Sequence, residues 1–220
     1  MEVLDGSAEA AGLRRTAWER QAGGDGELAV LPADEPENLL VDNFVRELDG
    51  RLADHNEDRL PEARLRLRLA LHHGIVEPAA NGFAGAGVVV VSRLVESAAI
   101  RATQAAVPEA HLVVILSNRI FLDTVAQGHT VLRPANCRKV QVQVKEYAEA
   151  AWIYVPGHEA HGLVLTVPQS AEPASVEARP PGDADGTGQA PPTYSAEVIS
   201  QFHGPVTANV IGINKGGSNG

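Results

Sequence analysis

The chain has a single cysteine, a single methionine and few aromatic residues, 4% of its 220 residues. With only Cys137, no internal disulfide can form, which fits a reducing cytoplasm. A lone cysteine in an apolar-rich chain reads as a small buried hydrophobe. Because hydrophobic residues still make up 44%, a core must be filled by Val, Leu, Ile and Ala. Positive charge is also scarce: 18 Lys and Arg stand against 28 Asp and Glu, a net charge of −10. Such a chain is repelled by phosphate backbones and anionic lipid, which argues against a nucleic-acid or membrane-surface protein. No apolar run reaches the ~18 residues a spanning helix needs. The opening MEVLDGSAEAAGL lacks a basic stretch before an apolar core, so it does not read as a signal peptide. A phosphate-cradling GxxxxGK[ST] loop, a Ser/His/Asp arrangement and an internal repeat are likewise missing.

What is present alternates between helical and extended patterns. Residues 2–12 place Val3, Leu4, Ala8 and Ala11 on an inner helical stripe. Two short extended runs, 16–21 and 27–32, flank Ala22–Gly26 (AGGDG) and read as a hairpin. Pro36 opens a helix that carries Leu39, Leu40, Phe44, Leu48 and Leu52 at helical spacing to about Asp54. Residues 63–74 (ARLRLRLALHHG) alternate strictly, Leu65 to Leu71 on one face and Arg64, Arg66 and Arg68 on the other. That period predicts a strand with one buried face and a solvated or partner-facing arginine row. A loop at 81–87, one helix over 88–106, a buried strand at 112–117, a short helix over 118–127 and paired strands at 138–147 and 150–157 complete the pattern. Helices and hairpins mixed in this way predict an α/β fold on a mixed sheet. The composition then shifts. Residues 158–197 read as a disordered Pro/Gly-rich linker, and 198–220 as a β-prone tail rich in Asn, Gly, Val and Ile.

Few residues offer chemistry. Asp25, at the tip of a Gly-flanked turn, is exposed enough to ligate Mg²⁺, although Asp-Gly is also what a plain hairpin turn requires. His158 and His161 sit three apart after Pro156-Gly157, not at the i, i+4 spacing of a zinc helix, and read as a surface loop. His72 and His73 end a strand, so they point to opposite faces and cannot readily chelate one metal.

The order of the pieces carries more than any one of them. GGDGELAVLP, then a helix, RLRLALHHGIV, FAGAG, VVVVSRLVESA, LVVILS and VQVKEYAEAAWIYV together resemble the catalytic domain of class III nucleotidyl cyclases over residues 1–157. The resemblance implies a ferredoxin-like core and head-to-tail dimers with active sites between subunits. It also implies a nucleoside triphosphate substrate with Mg²⁺ or Mn²⁺. By the same resemblance Asp25 matches the second metal-binding aspartate, Arg93 the arginine that stabilises the transferring phosphate, and Lys145 a purine-selecting lysine. The chain departs from the pattern at three places. Val89 stands where the transition-state asparagine is expected, and Ala86 where an aspartate is common. The chain also opens inside the helix that should follow a first strand bearing the first metal aspartate. Loss of one hydrogen-bond donor to developing charge often costs ~10²–10³ in rate.

Finally, 201–217 (QFHGPVTANVIGINKGG) mixes β-branched residues with Asn and Gly and almost no charge, a composition that can stack in register. A linker leading to such a segment resembles the layout of bacterial amyloid-signalling proteins. It also fits a plain tail, or a strand added to the edge of the domain's own sheet. Three functions follow as expectations. The first is a barely catalytic or non-catalytic cyclase-like signalling domain that forms a homodimer and offers residues 198–220 to a protein partner. The second is a working nucleotidyl cyclase on a chain that starts upstream, and the third is an assembly protein driven by its tail.

Overall fold

Alternating apolar residues build the sheet, and helical stripes cover it on both faces. The computed structural model describes residues 2–24, 26–79, 82–165 and 206–215. Its strands are β1 (Glu19–Gly23), β2 (Gly26–Val30), β3 (Leu67–Ala79), β4 (Gly82–Ala84), β5 (Leu112–Ser117), β6 (Arg138–Val144), β7 (Tyr147–Tyr154) and β8 (Val206–Lys215). Seven lie in the order β1-β2-β8-β3-β5-β7-β6, and β4 pairs with β3 off that path. The β3–β5 pair is parallel and the others are antiparallel, so the sheet is mixed.

One face carries α1 (Glu2–Ala10) and a long helix that begins as α2 (Glu37–Leu39), passes through a π turn at Leu40–Phe44 and continues as α3 (Val45–Asn56). Ala8, Phe44, Leu48 and Leu52 pack there on Leu67, Leu69, Leu71, Ile211 and Ile213. The other face carries α4 (Ala86–Val95) and α5 (Ala98–Ala106), whose Val91, Leu94, Val95 and Ile100 meet Ala70, Val113, Ile115, Ile153 and Val210. The short helix α6 (Asn118–Ile120) follows β5 and runs into a π turn at Phe121–Val125. Cys137 is fully buried and burial pushes its thiol up to about 12, as expected of a packed hydrophobe.

The fold class is that expected, a mixed α/β sheet with helices packed on it. Three local expectations need correction. The helix expected over 88–106 breaks at Glu96–Ser97. Ser97 turns extended there and its Oγ accepts from the Ile100 amide at 3.4 Å, restarting the helix as α5. The arginine row divides: β3 begins only at Leu67, Arg64 ahead of it is exposed as expected, and the other two are held by the protein. Arg68 is buried, and the Arg66 guanidinium donates to the carbonyls of Gln104, Val107 and Ala110 at 2.5, 2.8 and 3.0 Å. Arg66 thus satisfies orphan carbonyls at the C-terminal end of α5, where the helix dipole favours a cation. Strict alternation signals two distinct faces, but it does not say that the second faces water.

The third correction concerns the tail. The edge of the sheet, where an added strand would most simply join, is not where the described part of 198–220 lies. β8 is an interior strand, antiparallel to β2 over five residue pairs and to β3 over ten. The linker expected at 158–197 falls largely outside the described residues. Its first part stays on the domain: Ala160 is buried, and Arg138 donates to the Leu163 carbonyl.

Counting β8 first and following the chain on from α1 gives strand, helix, strand, strand, helix, strand: β8, α1, β1, β2, α3, β3. In space those four strands run β3-β8-β2-β1, the order 4-1-3-2, with both helices on one face. This is a ferredoxin-like unit whose first strand is supplied by residues late in the chain.

Burying a side chain such as Ile211 is worth about 1.5–3 kcal/mol. Ile211→Ala is therefore expected to lower unfolding stability by ~2–5 kcal/mol, read as a lower urea midpoint at unchanged slope. A residue in an undocked tail would shift the midpoint by less than about 0.5 kcal/mol equivalent.

Candidate functional site at the hairpin end of the sheet

The β1–β2 hairpin closes between Gly23 and Gly26, which face each other across a two-residue turn. Gly24 takes φ = 52°, the left-handed conformation such turns need, which explains a glycine there. Asp25 itself lies outside the described residues. Beside the turn ends β8: Asn214 is the partner of Gly26, and its side-chain oxygen lies against that glycine. A groove of about 460 Å³ opens here, lined by Gly24, Gly26 and Glu27 of the hairpin, Lys215 of β8, His55 of α3 and Glu2 at the start of α1. The end of β8 and the start of α1 thus share one groove, as the permuted strand–helix order requires.

One charge of this groove, that of Glu27, is committed to structure. Glu27, only 7% exposed, accepts from the Arg15 guanidinium at 2.9 Å, and Arg15 also donates to Asp5 at 2.5 Å. The Arg15 hydrogen bond holds the Asp5 carboxyl below the usual carboxylate range. Arg15 further stacks over the Trp18 ring at 5.1 Å, so it joins α1, the following turn and β2 into one cluster. β8 reads VTANVIGINK and brings no carboxylate to the groove. Among the described residues no three His, Cys, Asp or Glu side chains gather as a metal set. β8 therefore does not supply the first of the two carboxylates that the cyclase resemblance implies.

Of the three residues singled out from the sequence, Arg93 and Lys145 are described, and they lie on different elements. Arg93 is half-buried on α4, on the face of the sheet opposite α1 and α3. Lys145 is exposed in the β6–β7 turn, with φ = 54°. Four strands, β8, β3, β5 and β7, separate β2 from β6, so these two strands stand ~24 Å apart at the usual strand spacing. The antiparallel register of β5 with β7 also puts the Lys145 turn at the opposite end of the sheet from Gly26, where β2 begins. Val89, at the first turns of α4, is 49% exposed and has no side-chain hydrogen bond to give. Sequence reasoning missed Glu27, His55 and Lys215 as groove residues. Only Glu27 carried a signal, as the residue directly after GDG.

A second polar cluster lies where β5 and its parallel pairing with β3 end; His72 and His73, expected to end their strand, are interior to β3, which runs on to Ala79. His72 Nδ1 and Ser117 Oγ are 2.9 Å apart, and His73 Nδ1 meets Glu37 Oε1 at 2.6 Å. The adjacent histidines diverge to different partners, as strand geometry predicted. Trp152 donates its indole N–H to Asn118 at 3.1 Å and stacks on Phe121 with centroids 3.7 Å apart. His158 stands 3.8 Å from Glu109, and His161 is exposed, so the HEAH segment forms no chelate.

Burial pushes His72 down to about 4, with the nearby charges of Arg119 and His73 adding to the effect. Its folded value lies below the unfolded one of about 6.5, so the unfolded state binds this proton more readily. The stability tied to neutral His72 is intact above about pH 6.5 and is lost as pH falls toward 4. His72→Gln is expected to flatten the fall of the urea midpoint between about pH 7 and about pH 5. An unchanged pH slope would mean that His72 titrates normally.

Comparison of the chain with protein-family models, curated proteins and solved structures finds no match.

Proposed function

We propose that this chain is a cyclase-like signalling domain with little or no catalytic turnover, which acts as a homodimer and engages a protein partner through its C-terminal segment. One observation carries the reading. The permuted 4-1-3-2 strand order sets a GDG hairpin beside the strand expected to bear the first metal aspartate, and that strand, β8, has no carboxylate. The strand order supports the resemblance, while β8 lacks one carboxylate that the resemblance requires. Val89 in place of a hydrogen-bond donor weakens the chemistry further. The separation of the hairpin end at Gly26 from Lys145 supports the dimer. Groups at opposite edges and opposite ends of a sheet can meet only across two copies, which is the head-to-tail arrangement the resemblance implies.

In this reading Asp25 is the one carried-over ligand for Mg²⁺ or Mn²⁺, and Arg93 and Lys145 would contribute to a nucleoside triphosphate from the neighbouring copy. A working cyclase on a longer chain would need its own first strand to take the slot that β8 fills. An assembly protein driven only by its tail would need those same residues outside the sheet.

The test is a mass-spectrometric assay of the full chain with Mn²⁺ and each of the four ribonucleoside triphosphates, run beside analytical ultracentrifugation. The expected outcome is a concentration-dependent dimer with cyclic product far below ordinary turnover, which is ~1–10³ s⁻¹. Product formation within that range overturns the reading.

A further inference from the structure

We propose that β8 is an exchangeable strand and that the slot between β2 and β3 receives β8 from a second copy of this chain. The inference stands on strand register alone, so it does not depend on the nucleotide reading.

The slot is specific. β8 satisfies the backbone groups of two flanking strands at once, and without it both β2 and β3 would present open edges inside the fold. Its side chains serve both cores: Val210 packs among α4 and α5, while Ile211 and Ile213 pack under α1 and α3. Gly212 fixes the register. A Cβ there would stand 2.5 Å from Val91 Cγ1, so only a glycine lets α4 lie this close to the strand. A one-residue slip would bring a bulky side chain under Val91 and turn the apolar set to the wrong faces.

The connection to β8 is indifferent to which copy it serves. Described chain leaves the domain at Leu165 and resumes at Val206, a separation of forty residues in the sequence. Fully extended, forty residues span ~130 Å, several times the width of this sheet. Every contact that β8 makes in its own slot can be made identically in a neighbour's. The balance is then set by effective concentration, with the chain's own slot favoured in dilute solution and exchange favoured as protein concentration rises. Reciprocal exchange closes into a two-fold dimer without any new interface.

The experiment uses full-length chains in a Cys137→Ala background. Leu67 and Lys215 are directly opposed in the β3–β8 register and line the same groove. Paired positions of this kind lie within disulfide reach. Leu67→Cys and Lys215→Cys are made in separate chains, and both together in a third. On mild oxidation the double variant is expected to close within one chain at low concentration. The mixed single variants are expected to give a disulfide-linked heterodimer whose yield rises with protein concentration. If the double variant closes while the mixture never yields a heterodimer, β8 is confined to its own slot and the proposal fails. If neither cross-link forms, β8 does not occupy this register and the proposal fails as well. A dimer seen in ultracentrifugation without the heterodisulfide would assign association to another face, leaving the cyclase-like dimer standing and overturning strand exchange.

Discussion

The pairing of β8 with β2 and β3 is the interaction on which the rest depends. A sheet interior tolerates no missing strand, because each flanking strand would bury a row of unpaired N–H and C=O groups, and such groups cost about as much as lost hydrogen bonds. β8 removes that cost on both sides and adds apolar side chains to both helical layers. Among the described residues the hairpin β1–β2 is hydrogen-bonded into the remainder of the sheet through β8. The site and the termination of the fold are therefore one structural problem. Whatever occupies the strand slot also forms one wall of the groove beside Asn214 and Lys215.

That constraint explains which parts were legible in the sequence. β3 and β5 were readable because Leu67, Leu69 and Leu71, and the run from Leu112 to Leu116, carry period-two or fully buried patterns that depend on nothing distant. The helix of Phe44, Leu48 and Leu52 was readable for the same reason, although its π turn at Leu40–Phe44 left no mark in the spacing. The arginine row was misread because periodicity gives the faces of a strand and not what covers them. The carbonyls that hold Arg66 come from Gln104, Val107 and Ala110, far along the chain. β8 was misread for a deeper reason. Its β-branched, uncharged pattern was recognised as strand-forming, but the same pattern suits self-stacking, an edge strand or an interior strand. Only the vacancy between β2 and β3 distinguishes these, and that vacancy is a property of the whole topology.

The candidate site shows the same division. The turn was predictable from Gly24 and its neighbours, since a two-residue hairpin needs positive φ. Glu27 could be seen next to it, but not that Arg15 neutralises it from outside the hairpin. That ion pair is almost fully buried, so breaking one half would leave an uncompensated charge and is expected to cost more than the pair contributes. The cluster of Asp5, Arg15 and Glu27 thus reads as an anchor for α1 on β2. It is poorly suited to supply a free carboxylate to a metal.

Strand exchange as proposed would draw on the same ten residues that complete the fold, and this links the two ends of the chain. A strand inserted in the sheet cannot at the same time stack with the tail of a partner. If residues 198–220 serve a partner, the residues within β8 must first leave the slot, and the free energy of that step is set by the burial of Val210, Ile211 and Ile213 and by two open strand edges. A partner that supplies an equivalent strand removes most of this cost, because the slot is refilled as it empties. Another copy of the chain meets that condition by identity of sequence, and glycine opposite Val91 is the feature any other strand would have to match. The selectivity of the tail therefore resides as much in the acceptor strands and α4 as in the tail itself.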